Sequence, residues 1–461
     1  MEKEIQEIFK NSPDLKIKKI KDVTVIFLES LCSSDKINEY ILKVLSLNKI
    51  KSLENSIVGP NMSAIKPKDV INYLENGFAV VSYKKELYAV EVKGELVRSV
   101  STPDSQPAIY GPKDAFNESI QTNLGLIKRR IKTPHLINKD FFIGKQTKTK
   151  VSIVYLDNIC EEEVVKQVEE RLKQIDIDGI IDSSYISQLI TKESATPFPT
   201  IMESERPDKV VMELLEGKLT ILVDNSPFAL ILPAFFVDFI NPTTDNYNKG
   251  ININILKITR FTCYFISLLA PALYVALINF NQETIPLDLL LSFIVQRQGV
   301  PIPAALEAFV MLFLCDILRE SDIRFPSSYG SSISILGALI LGEAAVKASI
   351  VSPIMIIVVA ITFITNLIFT DGDTINSIRL FRYAILLFAT IFGLYGVVIA
   401  GTLFLIHLCS IESFGKPYSY PMAPFDRSYF FKTLLRKQKK KDTKRSRMLT
   451  DNLTKQRSSD L

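Results

Sequence analysis

The chain has 461 residues, a formal net charge of +4 and only two histidines. That leaves little for a histidine-based triad or a metal cluster, and no Walker A loop, GxSxG or HExxH motif is present, so an enzyme is not expected. The cysteines Cys32, Cys160, Cys263, Cys315 and Cys409 are scattered, giving neither a disulfide framework nor a zinc spacing, so no metal and no cofactor is expected.

In chain order, the opening MEKEIQEIFKNSPDLK lacks an apolar h-region, which predicts no cleavable signal peptide. Residues 1–110 alternate short apolar stretches, such as Val23–Leu28 and Phe78–Tyr83, with Lys/Asn/Ser-rich connections. That pattern predicts a first soluble α/β subdomain. Ser101–Pro112 is rich in Pro, Gly and Ser and reads as a linker or exposed loop.

Residues 111–255 read as a second soluble α/β subdomain. In Lys113–Lys132 the residues Phe116, Ile120, Leu124, Ile127 and Ile131 recur at helical spacing. Acidic residues sit near the start of this stretch and basic ones near its end, as the helix dipole favours. Val151–Leu156 is a strand candidate, and Glu161–Lys173 is amphipathic, with Val164, Val165, Val168 and Leu172 on one face. Pro207 and Gly217 bracket a further helix. Leu219–Val223 and Phe228–Leu232 flank Asp224-Asn225-Ser226-Pro227 and predict a hairpin. No internal repeat is evident.

Residues 256–411 change character and predict an all-α polytopic membrane domain. Phe261–Phe280 carries no charge, and Ala348–Thr370 and Tyr383–Cys409 carry none beyond one histidine. A bilayer core needs ~20 apolar residues in a helix. Val300–Leu318 contains Glu307 and Asp316, while Ser331–Val346 contains Glu343 with Lys347 just beyond it. Four membrane segments are preferred, with Ser331–Val346 re-entrant or interfacial; six result if Leu287–Ile294 helps to form another crossing.

Residues 412–461 read as a basic cytoplasmic tail, with thirteen Lys/Arg against five Asp/Glu. By the positive-inside rule the tail stays on the cytoplasmic side, and Lys249, Lys257 and Arg260 before the first span place the soluble half there too. Lys437, Lys439, Lys440 and Lys441 are candidates for binding anionic lipid headgroups, at ~1 kcal/mol per charge; a solvated tail is the other reading. No nucleic acid is expected, because the run follows a membrane span and lacks interleaved aromatics.

The carboxylates inside apolar segments are the candidate functional residues. An ionised group in hydrocarbon costs at least ~2.5 kcal/mol, so it faces a protein or water-filled interior. Glu307, Glu343, Lys347 and Asp316 are candidates for a cation pathway or gate, with Glu343 and Lys347 an i,i+4 pair. Helix packing, or contact with water at the interface, is the alternative reading of each.

Several motifs in order resemble the A-subunit family of GerA-type spore germination receptors, which includes the paralogue encoded with the SpoVA genes. They are YGPKDAFNESIQTNLGLIKRRIK (Tyr110–Lys132), IDIDGIIDS (Ile175–Ser183), PFPTIMESERP (Pro197–Pro207) and LLEGKLTILVDNSPFALILP (Leu214–Pro233). PALYVA (Pro271–Ala276), RQGVPIPAALE (Arg297–Glu307) and APF (Ala423–Phe425) continue the series. The resemblance implies a multi-pass protein of the spore inner membrane whose soluble domain faces the spore core. It also implies partners: a permease-like B subunit, a C-subunit lipoprotein and further copies of the chain, assembled as a pentamer into a germinant-gated channel for monovalent cations. In such a ring, Glu307 and Glu343 are the expected charged residues that favour cations. A non-conducting scaffold for the B and C subunits is the alternative, and a secondary transporter a third reading, although the inverted repeats it would need are not found.

Overall fold

The computed structural model describes residues 2–10, 12–20, 22–47, 61–83, 86–94, 103, 106, 110–191, 196–248, 250–324, 342–435 and 444–454. The first half contains two five-stranded antiparallel sheets. One is built from β1 (Leu15–Ile20), β2 (Val23–Leu28), β3 (Met62–Ala64), β4 (Phe78–Tyr83) and β5 (Glu86–Glu91), in the order β1-β2-β4-β5-β3. The other uses β6 (Leu136–Ile143), β7 (Thr149–Leu156), β8 (Met202–Ser204), β9 (Leu219–Val223) and β10 (Ala229–Leu232), in the order β6-β7-β9-β10-β8.

The two orders are the same topology used twice. Helix α1 (Glu2–Ile8) precedes the first sheet, helical residues 34–47 follow β2, and α2 (Val70–Glu75) separates β3 from β4. In the second unit α3 (Ile120–Lys128) precedes the sheet, α4 (Glu162–Lys173) and α5 (Ser183–Ile190) follow β7, and α6 (Pro207–Glu216) separates β8 from β9. This repeat corrects the sequence reading, which found none. Strand order is set by long-range pairing, and two dissimilar sequences can satisfy one pattern of pairings.

Alternation along the strands explains why both faces are covered. Val151, Ile153, Ile221 and Val223 point to the side of α4 and α5, whereas Val154, Leu156 and Leu222 point to α3 and α6. Successive strand side chains face opposite ways, so each strand supplies two cores. Gly217 ends α6 with φ +111°, a conformation that glycine adopts without strain. The Lys113–Lys132 stretch departs from expectation: helix α3 spans only Ile120–Lys128. Upstream, the Asn117 carboxamide accepts from the Ser119 amide, and the Phe116 amide bonds to Glu205 O, which ties that segment to the sheet instead. The units are clamped together by the buried Lys128–Asp14 pair at 2.5 Å, with the Ser30 hydroxyl donating to the same carboxylate at 2.7 Å.

The second half is helical. α7 (Phe236–Ile240) leads to α8 (Gly250–Asn279), followed by α9 (Leu287–Arg297), α10 (Ala304–Arg324), α11 (Pro353–Asn366) and α12 (Gly372–Ser410). Among the described residues two helices are long and apolar enough to cross a membrane, Asn252–Asn279 and Gly372–Ser410, with Pro353–Asn366 shorter.

The 39-residue α12 is not straight. Phe381 and Phe404 have ring centroids 5.0 Å apart, and Phe381 and His407 5.6 Å. On a straight helix the 23-residue separation of the two phenylalanines would span ~35 Å at ~1.5 Å per residue. The chain therefore folds back at Gly393, whose φ of +61° and ψ of −138° are not helical. Residues 372–392 and 394–410 are two antiparallel arms. The uncharged run Tyr383–Cys409, expected as one span, is thus divided between them. Hydropathy sums transfer energies and cannot register a single glycine dihedral.

The segment read as a basic tail turns back onto the second sheet unit. β11 (Glu412–Ser413) pairs with β12 (Lys416–Pro417), and α13 (Arg427–Leu434) follows. Arg445 donates to Leu215 O at 2.8 Å, and Asn452 donates to Asn158 O at 3.0 Å. The helical half thus leaves and re-enters the sheet module on one side.

Candidate functional site

The helical half meets the sheet module through the loop that precedes β8. Pro197 and Pro199 hold this loop extended, since each fixes φ and disfavours helix in the residue before it. Phe198, 3% exposed, projects from it between the two arms of α12. Its ring stacks on Phe381 at 5.4 Å and lies 6.0 Å from Phe404, 6.2 Å from His407 and 6.0 Å from Tyr418. The Ser377 hydroxyl donates to Pro197 O, and Thr196 Oγ1 and His407 Nε2 are hydrogen-bonded at 3.1 Å. An aromatic side chain of the sheet module is thus a wedge in the helical hairpin.

Polar contacts fix the ends of the helices to the module. Arg260 on α8 makes a two-point contact with Asp245 at 2.6 and 3.0 Å. After the second arm, the Ser413 hydroxyl accepts from the Ala234 amide at 3.1 Å and donates to Thr200 O at 2.7 Å. Phe414 is buried beneath the Arg171 guanidinium, 4.5 Å from its ring. Below α6 the buried Lys218 bridges Asp238 at 2.6 Å and Glu213 at 2.8 Å. Burial alone would depress its ammonium, but the two carboxylates outweigh that and hold it above the usual lysine range.

Between β8, α6 and the head of α12 lies a cavity of about 200 Å³, lined by Glu203, Arg206, Lys209, Asp238, Ile368 and Asp371 among others. Burial, then the charges of Asp373, Asp182 and Asp371, push the Glu203 carboxyl up to about 7. Burial pushes Lys209 down, against the opposing pull of Glu213, Asp371 and Asp238. Arg206 is held by Asp208 through bonds of 3.0 and 2.8 Å.

The residues singled out from sequence lie in separate settings. Glu307 is 1% exposed, accepts from the Ser352 amide at 3.2 Å and hydroxyl at 2.8 Å, and pairs with Arg297 at 3.2 Å. Asp316 accepts from the Tyr383 hydroxyl at 2.6 Å and faces Arg382 at 3.5 Å. Glu343 and Lys347 pair at 2.6 Å on the surface, with side chains 62% and 74% exposed. No contact joins these groups to one another across the three settings among the described residues. Lys437, Lys439, Lys440 and Lys441 lie outside the described residues. Arg297, Arg382 and Phe198 were not singled out. The two arginines had a usable signal, because a cation beside an apolar run requires a partner. Among the described residues no three His, Cys, Asp or Glu side chains are grouped to hold a metal ion.

A family model described as Bacillus/Clostridium GerA spore germination protein matches residues 3–448. The chain belongs to the GerA family. Spore germination protein KA of Bacillus subtilis (strain 168) is 38% identical over 433 residues, covering 90% of this chain and 80% of that one. Spore germination protein GerLA of Bacillus cereus is 33% identical over 440 residues, covering 92% and 89%. The crystal structure of the N-terminal domain of the A subunit of the Bacillus megaterium spore germinant receptor GerK3 aligns at 34% identity with a TM-score of 0.39, covering 51% of this chain and 94% of that one. The GerA match runs through both sheet units and the helical half, so the junction around Phe198 lies wholly within it.

Proposed function

We propose that this chain is the A subunit of a spore germination receptor and that, in the spore inner membrane, it assembles with further copies of itself into a germinant-gated cation channel. A permease-like B subunit and a lipoprotein C subunit complete the receptor. The sheet module and the returning C-terminal segment face the spore core, in keeping with Lys249, Lys257, Arg260 and the excess of basic residues after Glu412.

The observation that carries this reading is the Glu307 clasp. A carboxylate is enclosed among apolar helices, with Arg297 and two Ser352 donors as its partners. Charges at such depth are costly and mark ion pathways or the elements that gate them. We read an even number of passes, among them α8, α10, α11 and the two arms of α12. An even number returns the chain to the sheet module. In the ring, the exposed Glu343–Lys347 pair faces the pathway, and the Glu307 clasp holds α10 to the start of α11. Gating then requires contacts that differ between closed and open states, and the Phe198 wedge is the contact through which the sheet module biases the hairpin.

The test is monovalent-cation flux from vesicles carrying this chain with its B and C partners, comparing wild type with Glu307→Gln and Glu343→Gln at matched membrane levels. Loss of flux or altered selectivity in either variant supports the pathway; unchanged flux in both refutes it.

A further inference from the structure

An excess of positive charge gathers where the helical half meets the sheet module. Arg382 on the first arm of α12 faces Asp316 of α10 at 3.5 Å, and helical spacing puts Arg319 three residues beyond Asp316 and Arg379 three residues before Arg382 on the same faces of the two helices. Asp316 is already engaged by Arg382 and by the Tyr383 hydroxyl. Arg382 is 3% exposed, and its Nε has no hydrogen-bond partner. Among the described residues no hydrogen bond or ion pair engages Arg319 or Arg379. Residues 325–341, which follow α10, contain no carboxylate in their sequence.

The level of this cluster on the helices suggests what would satisfy it. Ser377 and Phe381, on either side of Arg379, touch Pro197 and Phe198 of the sheet module, so the cluster sits at the base of the bundle. The large apolar residues Ile317 and Leu380 at its level, and Phe313 and Leu387 beyond it along the two helices, are exposed. On α10, the sequence turns from apolar to charged at the same point, with Arg319 followed by Glu320, Ser321 and Asp322. Apolar surface on one side and unsatisfied guanidinium groups on the other are what a lipid presents in mirror image: acyl chains joined to a phosphate. Guanidinium suits phosphate oxygens through paired N–H donors.

We propose that Arg319 and Arg379, beside the buried Arg382, form a binding site for the phosphate of an anionic membrane phospholipid. The site rests on the membrane-spanning reading given above. A phospholipid held there bridges α10 and the first arm of α12, the two helices that Asp316, Arg382 and Tyr383 also join. The lipid would then be a structural component of the base of the bundle and would stiffen the arm that carries the Phe198 contact.

The experiment uses the full chain and has two readouts. Flotation with phosphatidylglycerol vesicles tests membrane insertion by itself. Native mass spectrometry of the detergent-extracted chain then measures retention of phosphatidylglycerol and phosphatidylcholine for wild type, for the double variant Arg319→Gln/Arg379→Gln, and for Lys145→Gln as a control on the exposed face of the sheet module. Among the described residues neither arginine in the double variant has a hydrogen bond or ion pair to lose, so circular dichroism should match wild type. At ~1 kcal/mol per basic group, removing both should weaken phosphatidylglycerol binding roughly thirty-fold. The control should change nothing, and Arg319→Lys/Arg379→Lys should recover most of the retention. Failure to float would defeat the membrane reading. Flotation with equal lipid retention in wild type and the double variant would overturn this site alone. So would retention lost equally for both lipids, displacement of the lipid by inorganic phosphate, or a change of oligomeric state with lipid retention intact, which would assign the arginines to a carboxylate of a second copy.

Discussion

The Ser352 hydroxyl, at the head of α11, donates to the Glu307 carboxylate on α10 at 2.8 Å, and the Ser352 amide donates to the same oxygen at 3.2 Å. This pair fixes the start of one apolar helix to the first turn of another, and Arg297 closes the third side at 3.2 Å. Removing one member of a buried pair leaves the other uncompensated, typically at a cost of ~3–5 kcal/mol. Glu307 has a fully buried side chain, whereas Arg297 is 19% exposed and can relax towards solvent. Arg297→Ala should therefore lower the thermal midpoint in detergent clearly, and the double variant Arg297→Ala/Glu307→Gln should recover part of the loss. A double variant less stable than either single one would show that the pair is not coupled in this way.

Gly393 should not tolerate a side chain. Its φ is +61°, and a Cβ built there would stand 2.8 Å from Phe280 Cβ. Gly393→Ala combines backbone strain of ~1–3 kcal/mol with that overlap. Removing the opposing side chain in Gly393→Ala/Phe280→Gly should relieve the overlap but not the strain, so stability should return only in part. Cysteine cross-linking between positions 381 and 404 reports directly whether the arms remain antiparallel.

Glu203 should give the sheet module a measurable pH dependence. Its carboxyl is raised from 4.5 to about 7, so the folded state holds a proton that the unfolded state releases. For a raised acid the associated stability is fully present below about pH 4.5 and is lost as pH rises through about 7. Glu203→Gln should flatten the melting temperature against pH across that window and make the variant the more stable protein at pH 8. Parallel curves for the two proteins would remove Glu203 as the source.

Parts of this architecture are readable from the residues alone. The helix Pro207–Glu216 and the strands Leu219–Val223 and Ala229–Leu232 follow from a proline, a glycine and a turn sequence, all local signals. The charged-to-apolar change near residue 255 likewise follows from composition. Three features were not legible, and each depends on long-range geometry. The shared strand order of the two sheets needs pairings such as β2 with β4, across nearly fifty residues. The reversal at Gly393 rests on one dihedral inside an uninterrupted apolar run. Phe198 reads as an ordinary loop aromatic until Phe381, Phe404 and His407 are seen around it. Among the site candidates, the burial of Glu307 agrees with its place in an apolar segment, but its partners Arg297 and Ser352 come from segments ten and forty-five residues away.

Phe198 is where the sheet module reaches into the helices, so truncating it should separate the two functionally. Phe198→Ala removes a core ring at ~3–5 kcal/mol. Both halves keep their own cores, and the hairpin keeps the Phe381–Phe404 contact. Limited proteolysis should show new cleavage in the 196–201 loop with the sheets still protected.

The most direct measurement is germinant-triggered release of monovalent cations from vesicles holding this chain with the proposed B and C subunits, for wild type and Phe198→Ala at equal membrane levels. A gated channel of the proposed kind gives flux from the wild type, and Phe198→Ala should insert and assemble but lose the response to germinant. No flux from a correctly inserted, assembled wild-type complex would contradict it, as would a full germinant response in Phe198→Ala.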